Sequence, residues 1–274
     1  MSIKLGSATI SDLYVGNNKI AEAYVGSDLV YSAGGGLIPI TDLAVGDSVF
    51  LKETGVLKEY IIVQKGRPTS AYDSSCDGVW LMRKDLYKLF ELPATTIYGA
   101  DNYIRNYASQ IIDNECASFY SAELFLYDSV IVNATIPSRS SLGSAPYWNQ
   151  QNTPITRKCF VVSATELGNP ISFLYPTNSA KLAYFDSGSG TGNTKRQASY
   201  NGTLYNWMTR TTQVVMDDPD PGDRYLNALT VSTAGWFNAI TQGAGAQNTG
   251  LRPCVIVTNA ANVKQDTHEL SPSI

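Results

Sequence analysis

Histidine is nearly missing from this chain: His268 is the one imidazole in 274 residues, and it stands in a polar C-terminal stretch. With it go Ser-His-Asp and Cys-His catalysis, His-ligated zinc and most imidazole acid–base chemistry. Charge is also sparse, at 16% Asp, Glu, Lys and Arg, against about 25% in an average globular protein. The net charge is −4 with no run of Lys or Arg, and the pI is near 5.0, so sequence-independent nucleic-acid binding is not expected. No apolar run approaches the roughly 18 residues of a membrane span. The first ten residues, Met1 to Ile10, hold no continuous apolar stretch of the secretory type, so no signal peptide is expected. Cys76, Cys116, Cys159 and Cys254 are widely separated without any C-x-x-C, which suits buried free thiols better than a disulfide framework or a zinc site.

What the chain has instead is 43% hydrophobic residues, with Tyr 17, Phe 8 and Trp 4. That is enough apolar material for a large core, and it excludes a disordered chain. The polar surface then falls largely to Ser, Thr, Asn, Gln and Tyr.

A repeat of about ten residues opens the sequence. Leu5-Gly6, Val15-Gly16 and Val25-Gly26 each precede turn formers and a short β-prone run, and Leu13-Tyr14-Val15-Gly16 recurs as Ala23-Tyr24-Val25-Gly26. The pattern predicts successive hairpins with glycine in the turns. Hairpins this small do not stand alone, so residues 1–33 are expected to dock on another protein or on copies of the chain. A sheet continuous with the main domain is the other reading. Residues 34–36, all glycine, read as a linker.

From Leu37 the pattern becomes α+β. Strands are predicted at Glu59–Gln64, Gly78–Arg83, Val130–Val132, Lys158–Val162 and Leu251–Val257. A helix is predicted after Ser109, with Ile111, Ile112, Cys116, Phe119 and Tyr120 on one face, and Ser163 or Thr165 could start a short one. Long polar segments at 138–156, 186–203 and 213–224 read as irregular loops of the kind that carry function. The main domain is placed at 37–262, and 263–274 is read as a frayed polar tail.

Several motifs look chemical and are weighed against plainer readings. Asp186 to Lys195 is glycine-rich, but its lysine comes three residues after Gly192 and no helical pattern follows, so a surface loop fits better than a phosphate loop. Asp217 to Asp223 holds four carboxylates, yet two prolines interrupt it; it reads as a solvated turn or a cation-binding loop. Cys254 reads as a strand cysteine, with an activated thiol as the other possibility. No catalytic residue, metal ligand or cofactor is assigned.

The strongest functional signal is the stretch from Tyr205 to Pro253, dense in aromatic and amide side chains and poor in Lys and Glu. Tyr, Trp and Asn make good recognition surfaces, joining rigid contact area to adaptable hydrogen bonding. Trp207 and Trp236 could each belong to that surface or to the core.

Ordered segments from about residue 57 to 258 resemble a known family. They are Glu59–Val63, Ser75–Lys84, Ile136–Arg139, Phe160–Gly168, Ala180–Phe185, Trp207–Thr211 and Gly250–Val257. Together they are similar to C-type-lectin-like domains of gut bacteria and their phages, which serve as variable proteins of diversity-generating retroelements and as receptor-binding tips of phage tails. The N-terminal repeat resembles small attachment modules of phage tail proteins. The resemblance implies a C-type-lectin-like fold with long irregular loops, located in a virion or on a bacterial surface, that binds a protein or glycan of a host cell without catalysis. It places ligand-facing residues between the W-x-x-R and G-x-R-P motifs, here Gln213, Tyr225, Asn227, Trp236, Asn238, Gln242, Gln247 and Asn248, and makes Trp207, Arg210, Arg252 and Pro253 scaffold. The E-P-N, Q-P-D and W-N-D motifs of calcium-dependent sugar lectins are missing. Formylglycine-generating enzymes are similar in their G-x-R segment but use a cysteine pair, of which only Cys254 has a counterpart here. A purely structural virion protein is the remaining alternative.

Overall fold

The computed structural model describes residues 4–5, 8–9, 14–15, 18–19, 22–25, 28–32, 36–91, 111–140, 151–152, 154–169, 180–186, 193–215, 225–241 and 248–273. The decapeptide repeat forms three antiparallel hairpins: β1 (Lys4–Leu5) with β2 (Ala8–Thr9), β3 (Tyr14–Val15) with β4 (Asn18–Lys19), and β5 (Glu22–Val25) with β6 (Asp28–Ser32). Each pair leaves two residues between its strands, Gly-Ser, Gly-Asn and Gly-Ser, and Gly-X is a preferred two-residue hairpin connection.

The main domain starts at β7 (Leu37–Pro39) and continues through β8 (Ser48–Glu53), β9 (Val56–Lys65), β10 (Val79–Arg83) and β11 (Lys88–Glu91) to α1 (Ile111–Phe119). Then come the short strands β12 (Ala134–Ile136), β13 (Arg139–Ser140), β14 (Gln151–Asn152), β15 (Ile155–Arg157), β16 (Cys159–Phe160), β17 (Ser199–Tyr200) and β18 (Thr203–Leu204). Longer strands return with β19 (Trp207–Val215), β20 (Tyr225–Val231) and β21 (Phe237–Thr241), before β22 (Asn248–Leu251), β23 (Cys254–Val257) and β24 (Asn262–Lys264). The fold is mixed, mostly strands with one short α-helix among the described residues.

Two five-stranded sheets organise it. The first runs β16-β23-β10-β9-β8, antiparallel throughout. Its middle strand β10, Val-Trp-Leu-Met-Arg, is buried at every position, whereas β8 alternates buried and half-buried; those are the patterns of a strand covered on both faces and of one covered on a single face. Trp80 on β10 is the centre of the core. Its ring meets Tyr72 and Phe160 edge-on at 5.9 and 5.6 Å, and its indole N–H donates to the Cys76 carbonyl at 3.1 Å. The second sheet runs β11-β22-β19-β20-β21, with β19 parallel to β22 and the other pairs antiparallel.

Three expected elements come out differently. Leu251–Val257 is two strands in two sheets: β22 ends at Leu251, Arg252-Pro253 carries the chain across, and β23 begins at Cys254. Proline has no N–H for a ladder, which makes it a natural break point. Val130–Val132 contributes only a single bridge, Ile131 to Val257. At Ser163 the spacing Ser-x-x-Glu does form a reciprocal capping exchange, Ser163 N–H to Glu166 Oε2 at 2.9 Å and Glu166 N–H to Ser163 Oγ at 3.2 Å. No helix follows, because the chain turns at Gly168, whose φ is +88°. The predicted helix is present as α1, with Ile112, Cys116 and Phe119 buried; Ser109 lies outside the described residues. Within the segments read as loops, β13 pairs with β14 and β17 with β18.

The tail after Val263 is docked rather than frayed. β24 pairs with β7, which places the first and last strands of the domain side by side. Beyond it, Phe50 N–H donates to the His268 carbonyl at 3.0 Å and Leu270 N–H to the Phe50 carbonyl at 2.9 Å. The open edge of β8 is thereby covered. Leu270 is 1% exposed, and the His268 ring stands 3.1 Å from the Ser48 carbonyl. Charge reinforces the dock: Glu269 pairs with Lys264 at 2.8 Å and with Lys52 at 2.9 Å.

Hydrogen bonds first from Lys264 and then from Lys52 hold the Glu269 carboxyl below its ordinary value of 4.5. A carboxyl lowered in the native state stabilises the dock above its unfolded pKa, and that contribution is lost as pH falls through the native value. Hydrogen exchange at the Leu270 amide, corrected for the intrinsic rate, should therefore lose protection as pH drops below 4.5, and Glu269→Gln should remove that step. Protection that stays level in the native chain over this range would contradict the clamp.

Candidate functional site

The stretch that the sequence marks for recognition is carried by β19, β20 and β21, and its anchorage is a set of buried arginines. Arg210 sits where the β19–β20 register jumps from Met208–Thr230 to Thr212–Ala228. Such a bulge turns a side chain away from the regular alternation. Arg210 is buried and reaches the buried carboxylate of Glu166 with both terminal nitrogens. It also donates to the carbonyls of Val161 at 3.0 Å and Pro137 at 3.2 Å. Glu166 in turn accepts from the Tyr72 hydroxyl at 2.9 Å. One guanidinium–carboxylate pair thus joins β19 to three loops that share no sheet with it.

Trp207 and Arg252 form the second anchor. Trp207 is fully buried, donates from Nε1 to the Arg196 carbonyl at 2.9 Å, and carries the Arg252 guanidinium 5.2 Å from its ring. Arg252 donates to the carbonyls of Arg83 at 2.9 Å and Arg196 at 3.2 Å. Burial lowers its pKa to about 10, still well above neutrality. Pro253 is buried too, and its carbonyl accepts the Arg83 N–H at 2.9 Å. A Cβ at Gly250 would lie 2.3 Å from the buried Leu86 side chain, which would have to shift to admit it.

Two further buried arginines escaped the sequence reading. Arg83 pairs with Glu53 through Nε at 2.8 Å and a terminal nitrogen at 3.1 Å, and Glu53 also accepts the Tyr60 hydroxyl at 2.7 Å. Arg196 donates to the carbonyls of Leu167 at 2.8 Å and Asp186 at 2.9 Å beneath the Phe237 ring. For Glu166, the partner of Arg210, the local signal is the Ser163-x-x-Glu166 spacing. Nothing in sequence distinguishes a buried arginine from a solvated one.

The expected ligand-facing residues divide by position. Gln213 and Asn227 are direct cross-strand partners, Asn227 also pairs with Thr241, and Tyr225 opposes Val215, so these three gather at one end of the β19–β20–β21 ladder. Trp236 and Asn238 lie toward the other end, by the turn that joins β20 to β21. Six strand steps from Tyr225 to Val231 put the two ends about 20 Å apart, within the span of one recognition surface. Trp236 is 42% exposed, and Asn238 is exposed opposite Thr230. Asn248 is exposed opposite Glu91 on β22, with β19 and β20 between it and β21. Gln242 and Gln247 lie outside the described residues, as does the aspartate cluster 217–223.

The turn under Trp236 is firmly built. Ser232 N–H donates to the Trp236 carbonyl at 2.7 Å, Trp236 N–H to Ser232 Oγ at 3.1 Å, and Thr233 N–H to Asn206 Oδ1 at 3.1 Å. Gly235 has φ +79°, and a Cβ there would stand 2.4 Å from the Asn193 carbonyl oxygen. Trp236 is therefore an exposed aromatic on a fixed backbone.

Neither Cys254 nor Cys159 is an activated thiol. All four cysteines are free and buried. Burial pushes Cys254 and Cys159 well above the ordinary thiol range, with Glu166 adding to the effect at Cys254 and Cys116 at Cys159; a nucleophilic thiolate needs the opposite shift. Among the described residues no three His, Cys, Asp or Glu side chains are grouped to hold a metal ion, and no helix is long and apolar enough to cross a membrane.

The fold and its anchors define a mixed α+β domain with a hairpin ladder held on buried arginines. Over residues 57–259 the chain matches the family described as a domain of unknown function, DUF6273, and it belongs to that family. No match was found among curated proteins or among solved structures.

Removing the Arg210 guanidinium leaves the Glu166 carboxylate buried without its counter-charge. Arg210→Met should cost about 3–5 kcal/mol of unfolding free energy, read as a lowered urea midpoint at unchanged m-value. Adding Glu166→Leu should recover a large part. A loss below about 1 kcal/mol in the single variant, the level of a surface ion pair, would show that the pair is not an anchor.

Proposed function

We propose that the protein is a non-enzymatic recognition protein of the C-type-lectin-like kind, a phage tail component or surface adhesin diversified by a retroelement. It would bind a protein or glycan on a host cell through β19–β21 and their connections. One observation carries the reading: Trp236, Asn238 and Asn248 are exposed on strands and a turn whose neighbours Trp207, Arg210 and Arg252 are buried and fully engaged. Such a division allows surface side chains to change without disturbing their support, as a diversified binding surface requires. The mixed fold, the hairpin repeat at the N-terminus and the raised thiols of Cys159 and Cys254 are in keeping with it.

Aromatic anchors usually dominate such interfaces. Cosedimentation of the fluorescently labelled chain with a panel of gut bacterial cells tests the proposal. For a strain that retains the native chain, Trp236→Ala and Tyr225→Ala should each lower retention tenfold or more while shifting the melting temperature by no more than a few degrees. Undiminished retention in both variants would place recognition elsewhere, and a collapse of stability would make these residues core.

A further inference from the structure

Two of the four buried thiols touch. The two-residue strand β16 lies at the edge of the first sheet, and α1 packs against it. Successive strand residues point to opposite faces. Phe160 and its cross-strand partner Cys254 face the Trp80 side. Cys159 and its partner Val255 face the other side, where the Cys116 thiol of α1 is hydrogen-bonded to the Cys159 thiol. Cys76 lies apart, with its thiol donating to the Thr135 carbonyl at 3.2 Å. Cys116 and Cys159 are thus a facing pair, one on a helix and one on a sheet edge, and both are buried. Sulfurs in hydrogen-bond contact are within a short side-chain movement of the bonded separation of about 2.05 Å.

The helix that carries Cys116 is held from outside. At nine residues it is too short to be stable on its own. Asp113 in its first turn takes a two-pronged contact from Arg157, Nε to Oδ1 at 2.9 Å and a terminal nitrogen to Oδ2 at 2.9 Å. At its end Phe119 meets the Tyr87 ring edge-on at 4.5 Å. While α1 is docked, burial and then the bond to Cys116 raise the Cys159 pKa, so the closed pair holds its protons and is unreactive. When α1 lifts from β16 both thiols reach solvent and ionise more readily. A bond formed at that moment is buried again as the helix closes, out of reach of reductants.

We propose that Cys116 and Cys159 are a redox latch: in an oxidising medium they join as a disulfide that fixes α1 on the edge of the first sheet. The oxidant is a low-molecular-weight disulfide. One cysteine gives its proton to solvent, and its thiolate attacks that disulfide, forming a mixed disulfide and expelling a small thiolate, which takes up a proton. The thiolate of the other cysteine then attacks the protein sulfur of the mixed disulfide. The Cys116–Cys159 bond forms and the second small thiol leaves. Two protein thiols are oxidised, and one small disulfide is reduced to two thiols. The bond closes the loop from residue 116 to residue 159, which removes freedom from the unfolded chain. The latch does not depend on recognition around Trp236.

The test holds the native full chain in mixtures of oxidised and reduced glutathione, and refolds a second sample from urea in the same mixtures. Both are quenched with acid, unfolded, alkylated with N-ethylmaleimide and mapped by mass spectrometry. The expected product carries the alkyl group on Cys76 and Cys254 alone and yields one linked pair of peptides, containing Cys116 and Cys159. Its melting temperature should exceed that of the reduced chain by at least about 5 °C. Cys116→Ala or Cys159→Ala should abolish the link, and Cys254→Ala should leave it. Four alkylated cysteines after both treatments, a predominant link to Cys76 or Cys254, or glutathione retained on Cys116 or Cys159 without a link would each overturn the proposal. A linked form no more stable than the reduced chain would overturn it as well.

Discussion

The pairing of Arg210 with Glu166 is the constraint on which the domain most depends. Regular ladders account for part of this chain, and several connections are buried without sheet partners of their own. Their carbonyls still require donors, since an unpaired buried polar group costs on the order of 1–3 kcal/mol. Arginine solves this with five donors on one rigid fork. Arg210 spends them on Glu166, Val161 and Pro137, while Glu166 gathers Tyr72 and the Ser163 amide. A buried ion pair does not necessarily add net stability over a well-packed apolar pair. What it does here is fix where β19 lies relative to the loops beneath it.

Arg252 and Arg196 extend the same logic to the other side of β19. Arg252 ties the strand crossing at Pro253 to β10 and to the chain around Arg196, and Arg196 ties that chain to the Leu167 and Asp186 carbonyls. The two sheets are consequently linked through guanidinium groups as well as through the apolar core around Trp80. The β20–β21 hairpin extends from this assembly, with Trp236 fixed by the Ser232 turn. Recognition on such a support would gain from a surface that needs little ordering when it binds.

Much of the fold was legible because periodicity reports burial. The all-buried β10, the apolar face of α1 and the decapeptide hairpins each follow from spacing alone. Spacing does not report which sheet a strand enters, and so Leu251–Val257 looked like one strand until Arg252-Pro253 divided it. Composition misjudged the tail for a similar reason. Glu269 and Lys264 look solvated in sequence, yet they hold Leu270 against β8. The candidate surface was legible as a stretch of aromatic and amide residues. Its division into a Gln213–Tyr225–Asn227 end and a Trp236–Asn238 end was not, because that depends on the register across β20.

The central claim is that a candidate recognition surface rests on a scaffold that does not need it. The most direct measurement is the thermal unfolding of a chain with Gln213, Tyr225, Asn227, Trp236 and Asn238 all replaced by alanine. A single cooperative transition within about 5 °C of the native one, on the order of 1–2 kcal/mol for a domain this size, is the predicted result. Loss of cooperative unfolding, or a fall comparable to that of Arg210→Met, would show that these side chains are part of the framework, and the division into surface and support would fail.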